Sequence, residues 1–128
     1  MEFFRTVTPH PWHEELIQSH LTIDTLGTFC PFIEQVTPDN RNSRDRGTIF
    51  CDWGTFQTLR QTIRGGVRFL LPTCPNALTW SITAGFPPAP QGVTVHCTIN
   101  RTSHDAEFIE TIDAFMDAWQ EGLSSRVS

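Results

Sequence analysis

Residues 102–125 constrain the fold more than any other segment. Phe108, Ile109, Ile112, Phe115, Met116, Trp119 and Leu123 recur at spacings of three and four and make one apolar stripe. A helix with such a stripe must bury it against a larger surface. Thr102 or Ser103 is the expected cap, with Asp105 and Glu107 in the first turn and Gly122 as the expected stop. Opposite the stripe stand Glu110, Asp113, Asp117 and Glu121, and the segment holds six acids with no lysine or arginine. Like charges one turn apart weaken an isolated helix by a few tenths of a kcal/mol per pair. That face is either solvated or a docking surface for a basic partner.

The surface on which the helix packs must come from the residues before it. Phe3 to Val7 reads as a short strand, and Pro11 suits the first turn of a helix running from Trp12 to Leu21. Residues 21–36 are rich in Thr, Ile, Phe and Val and are expected to be extended, as one bulged strand or two short ones. Residues 37–47, TPDNRNSRDRG, form a polar loop between strands. Residues 48–53 predict a strand. Residues 55–64 are ambiguous: Phe56, Leu59 and Ile63 fit a helix face, the threonines favour a strand, and the spacing tips the reading to a short helix. Strands follow over residues 67–71, 77–84 and 92–100. The last has Val93, Val95, Cys97 and Ile99 on one face and Thr94, His96 and Thr98 on the other. The three prolines of residues 85–92 should stiffen that loop toward polyproline geometry and hold it clear of the sheet. The expected architecture is a single α+β domain over residues 1–128: a mostly antiparallel sheet of about five strands, two or three helices on one face, and a flexible tail over 124–128.

Composition narrows the chemistry. The 128 residues contain no lysine and no tyrosine, and all nine basic side chains are arginine. A Schiff base, a P-loop lysine and a phenolic acid or base are therefore excluded. The formal charge of −5 argues against nucleic acid as the main partner. No apolar run reaches the length of a membrane span, and the first residues lack the pattern of a signal peptide, so a cytoplasmic location is expected. Cys30, Cys51, Cys74 and Cys97 form no CxxC pair and each lies in or beside an apolar segment. They read as reduced, buried thiols, with two disulfides as the alternative.

Four groups of residues are candidate sites. The acidic helix face is the first, with Phe86 of the Pro-rich loop as an apolar anchor. Arg41, Arg44, Arg46, Arg60 and Arg64 form a second group, suited to a phosphate or carboxylate, unless they pair internally with the acidic helix. His10, His13, His96 and Cys97 carry zinc-ligand chemistry without a recognised zinc spacing. Cys51 could be a nucleophile with His96 or His104 as base, but its neighbour Asp52 does nothing to lower the thiol pKa. The reading that follows is a non-enzymatic, cytoplasmic protein-binding module without a cofactor. It suits a viral or mobile-element accessory factor that sequesters or inhibits another protein with a basic surface, if the missing lysines reflect escape from lysine-directed tagging; the codon bias of a GC-rich genome is the competing explanation. A small Cys/His metal-binding protein or enzyme and a structural homo-oligomer are the alternatives.

Overall fold

The computed structural model describes residues 1–8, 12–40 and 43–125. Over these described residues the fold is α+β, with seven antiparallel strands and three helices packed on them. The strands are β1 (Glu2–Val7), β2 (Ile33–Pro38), β3 (Arg46–Cys51), β4 (Gly54–Ile63), β5 (Gly66–Leu70), β6 (Thr79–Ala84) and β7 (Val93–Thr98). Helices α1 (Glu14–His20) and α2 (Leu26–Phe29) lie between β1 and β2, and α3 (Ala106–Ser124) ends the fold. The sheet order is β1-β7-β6-β5-β4-β3-β2, so the first strand pairs with the last.

The stripe on α3 packs as its spacing demands. Ile112, Phe115, Met116, Trp119 and Leu123 are fully buried against the sheet. Asp105 caps the helix by accepting from Phe108 N–H at 2.9 Å, in place of Thr102 or Ser103. Gly122 does not stop the helix. It lies inside the last turns, where a Cβ would come within 1.7 Å of the Phe29 carbonyl, so its role is the close approach of α2 and α3.

Other expectations are corrected. Residues 55–64 belong to strand β4, paired with β3 on one side and β5 on the other. Leu59 and Ile63 face out and Phe56, Thr58 and Arg60 face in, so the helix-like spacing joined residues of opposite faces. Residues 21–36 are not simply extended: Ile23–Thr25 form a 3-10 turn that leads into α2. Thr22 and Thr25 make a reciprocal capping box there. Ile23, Leu26 and Phe29 recur at threes and are all buried, so burial overrides the β preference of the threonines. The Pro-rich segment folds back on itself. Ala89 N–H donates to Phe86 O at 2.9 Å, Gly92 N–H to Ala89 O at 2.9 Å, and Ala89 is buried. β2 runs through Pro38 and β3 starts at Arg46, so the strands take both ends of the segment expected as a polar loop.

Candidate functional site

The core between sheet and helix is unusually aromatic. Phe115 is its hub, 5.0 Å from Trp80, 5.1 Å from Trp53 and 5.5 Å from Phe32, ring centre to ring centre. Phe69 stacks on Trp80 at 5.2 Å, and Trp119 lies 6.4 Å from Phe69. The indole N–H groups of Trp80 and Trp119 are buried with no hydrogen-bond partner among the described residues. An unmade bond of that kind costs about 1–3 kcal/mol. These rings fill the space between helix and sheet.

Above this packing, at one end of the space between sheet and helix α3, a hollow of about 300 Å³ remains. Three separate segments form it: Trp53 and Phe56 from the β3–β4 hairpin, Cys74, Pro75, Asn76 and Leu78 from the β5–β6 connection, and Phe108 from the first turns of α3. Local chemistry fixes each wall. The Trp53 indole donates to Thr111 Oγ1 at 2.8 Å, and that hydroxyl donates to Phe108 O at 2.6 Å. The β5–β6 connection is held by Cys74 N–H to Leu71 O and Ala77 N–H to Cys74 O, both 3.0 Å. Asn76 O also accepts from Asn100 N–H at 2.8 Å, just past β7. The lining is mostly apolar, no charged side chain belongs to it, and Asn76 is its one side-chain amide. About 300 Å³ is the lower limit for a small-molecule pocket.

The residues singled out in the sequence lie elsewhere. Glu110, Asp117 and Glu121 are exposed on α3 and Asp113 is half-buried. The acidic face is partly neutralised, from an unexpected direction. Arg5 on β1 donates from Nε to Asp117 at 2.8 Å and from Nη2 to Asp113 at 3.2 Å. Those bonds hold the Arg5 pKa above its ordinary value, the Asp117 hydrogen bond being the largest cause. Phe86 is half-buried on Gly65 beneath the Arg64 guanidinium, 6.0 Å above its ring, and is not a free anchor.

Arg44, Arg46, Arg60 and Arg64 do not form one surface. Arg60 is buried: it donates to Leu21 O at 2.7 Å, to Gln18 O and to Asp45 at 2.8 Å, closing the C-terminal end of α1. With its donors engaged by two carbonyls and the Asp45 carboxylate, it is a structural cation. Arg44 and Arg46 are exposed, and Arg41 lies outside the described residues.

The zinc set is not assembled either. His96 faces out, stacked on Phe4 at 4.4 Å and bonded to Glu2 at 3.0 Å, whereas Cys97 is buried on the inner face. Neighbours in a strand point to opposite sides and cannot share a metal ion. His13 caps α1 by accepting from Leu16 N–H at 3.4 Å, and His10 lies outside the described residues. Among the described residues no cluster of three His, Cys, Asp or Glu is placed to hold a metal.

All four cysteines are free. Burial pushes the Cys30 and Cys97 thiols up to about 12 and raises Cys51 as well. Cys51 Sγ donates to Gly54 O at 3.8 Å, while His96 is bonded to Glu2 and His104 to Asp105, so no contact among the described residues pairs the thiol with either expected base. Cys74 is half-buried on the wall of the hollow.

No protein-family model matches the chain, and no curated protein matches it. No helix among the described residues is long and apolar enough to cross a membrane. A solved structure of a START superfamily protein from Mycobacterium smegmatis superposes on 99% of this chain and 95% of its own, with a TM-score of 0.60 and 12% sequence identity. At that identity the likeness is one of fold: the helix-grip arrangement, in which an antiparallel sheet holds a long C-terminal helix.

Proposed function

We propose that the protein binds a small, flat, uncharged apolar molecule at the mouth of the grip. The observation that carries this reading is the hollow between Trp53, Phe56, Leu78 and Phe108, apolar and backed by packed rings. Aromatic walls favour a planar guest by offset stacking. The absence of any charged side chain from the lining disfavours an ion, and Asn76 supplies one amide to orient a single polar group. With Phe115 packed on Trp53 at 5.1 Å, the proposed guest lies at the mouth and is short. Titration with 2-naphthol, followed by tryptophan fluorescence, should saturate, and Phe108→Ala should weaken it about tenfold. Palmitate should bind no better than hexanoate. Tighter binding of the longer acid, or an unchanged affinity in Phe108→Ala, would overturn the reading.

A second reading retains the acidic face as a docking surface for a basic protein, as an accessory or inhibitory factor would use it. The observation in its favour is that Glu110 and Glu121 stay exposed with no ion pair to any described residue. The discriminating variant is Glu110→Arg with Glu121→Arg, which should abolish capture of the basic partner and leave the melt unchanged. Reversing Asp113 and Asp117 is a poorer test, since it also breaks the Arg5 contacts and lowers stability by about 1 kcal/mol or less. Full capture by the Glu110/Glu121 variant would remove this reading.

A further inference from the structure

The outward face of the sheet holds a second recess, unrelated to the mouth hollow. It measures about 290 Å³ and is lined by the side chains of Arg68, Ser81, His96, Thr79 and Thr98, with Ile63 at one side. Strand register explains the grouping. Arg68 on β5 is directly opposite Ser81 on β6, and Ser81 is opposite His96 on β7. Thr79 and Thr98 are paired in the next outward row. Directly opposed side chains on one face of a sheet are near neighbours, so register alone brings these polar groups together.

The chemistry of the recess is that of an oxyanion receptor. Gln61 Oε1 accepts from both Nε and Nη2 of Arg68, which fixes the guanidinium and leaves Nη1 unengaged by any described residue. The hydroxyls of Ser81 and Thr98 have no hydrogen-bond partner among the described residues, and Thr79 makes only a 3.3 Å contact with Ala77 O. Four hydrogen-bonding groups thus face a recess in which the one full charge is positive. Glu2 is the nearby acid, and its carboxylate is turned onto His96 Nε2 at 3.0 Å. The His96 ring is held flat against Phe4, so it acts as a wall and not as a base for Ser81. The acids of α3 lie on the opposite side of the sheet.

We propose that this recess binds the phosphate group of a small phosphomonoester, with Arg68 Nη1 and the Ser81 and Thr98 hydroxyls on the phosphate oxygens and the organic part against Ile63. A guanidinium with flanking hydroxyls suits a tetrahedral oxyanion with several acceptor oxygens better than a flat carboxylate. The volume is larger than a bare phosphate needs, and Ile63 gives the remainder an apolar wall.

The test is a titration of the full chain with inorganic phosphate, phenyl phosphate and benzoate, followed by backbone amide shifts. Phenyl phosphate should give saturable shifts centred on Arg68, Ser81 and Thr98 and bind more tightly than inorganic phosphate, with benzoate weakest. Arg68→Gln should reduce the affinity at least about tenfold, and Ser81→Ala less. Both side chains lie on the outward face, so an unchanged melt will establish that each variant folds. Shifts that fail to saturate, that centre on Arg44 and Arg46, or that persist unaltered in Arg68→Gln would overturn the proposal. Equal affinity for phenyl phosphate and inorganic phosphate would overturn the role given to Ile63.

Discussion

Phe115→Ala will destabilise the protein by about 3–5 kcal/mol, the range for truncating a fully buried phenylalanine. Phe115 has no solvent exposure and its ring touches Phe32, Trp53 and Trp80 at once. Its removal leaves a void among rings too rigid to collapse onto it. The same change opens the mouth hollow toward the interior, because Phe115 is the ring behind Trp53. Urea unfolding reads the first effect. A reversal of the ligand preference, with palmitate now better than hexanoate, reads the second. A loss below about 1 kcal/mol would mean that the ring is not the hub described here.

The second large effect is alkaline unfolding. With no lysine and no tyrosine, cysteine is the one side chain that titrates between about pH 9 and 12. In the unfolded chain the thiols ionise near their ordinary value of 9.0, whereas burial in the fold holds Cys30 and Cys97 protonated up to about 12. The folded state therefore binds more protons in this window, and stability falls as pH rises through it. The slope approaches about 1.4 kcal/mol per pH unit for each buried thiol. Below pH 9 both states hold their thiol protons and this contribution is constant. Melting temperature measured from pH 8 to 11 should drop steadily above 9, and Cys97→Ala should flatten the drop. A level curve to pH 11 would refute the burial of these thiols.

Both predictions rest on a core that was partly legible in the sequence. The α3 stripe, the alternation of β7 and the antiparallel class with helices on one face follow from periodicity, and these elements stand close to their expected places. Residues 55–64 did not, because Leu59 and Ile63 are outward apolar residues on a strand, and a spacing rule takes every apolar residue as inward. The 3-10 turn and α2 were hidden by β-branched residues that burial pulls into helix. The hollow was not legible at all. Its walls come from positions 53–56, 74–78 and 108, separated by 18 or more residues, and no spacing motif unites them. Only the fold brings the hairpin, the connection and the helix start to one end. Arg60 and Arg5 carried the same lesson. A local excess of charge says nothing of which guanidinium is swallowed by carbonyls and which reaches across to a helix more than 100 residues away.

Strand β1 has consequences for how the chain is made. Its partner is β7, its Arg5 bonds to Asp113 and Asp117, Thr6 O accepts from Gln120, and just beyond it Trp12 donates to Leu123 O. Every one of these contacts joins residues far apart in sequence, a pattern associated with slow, late ring closure during folding. On the ribosome, residues 113–123 are made and released long after residues 3–12. Phe3, Val7 and Trp12 emerge early and wait without their partners, and it is in that interval that a nascent chain of this design needs the shelter of a chaperone.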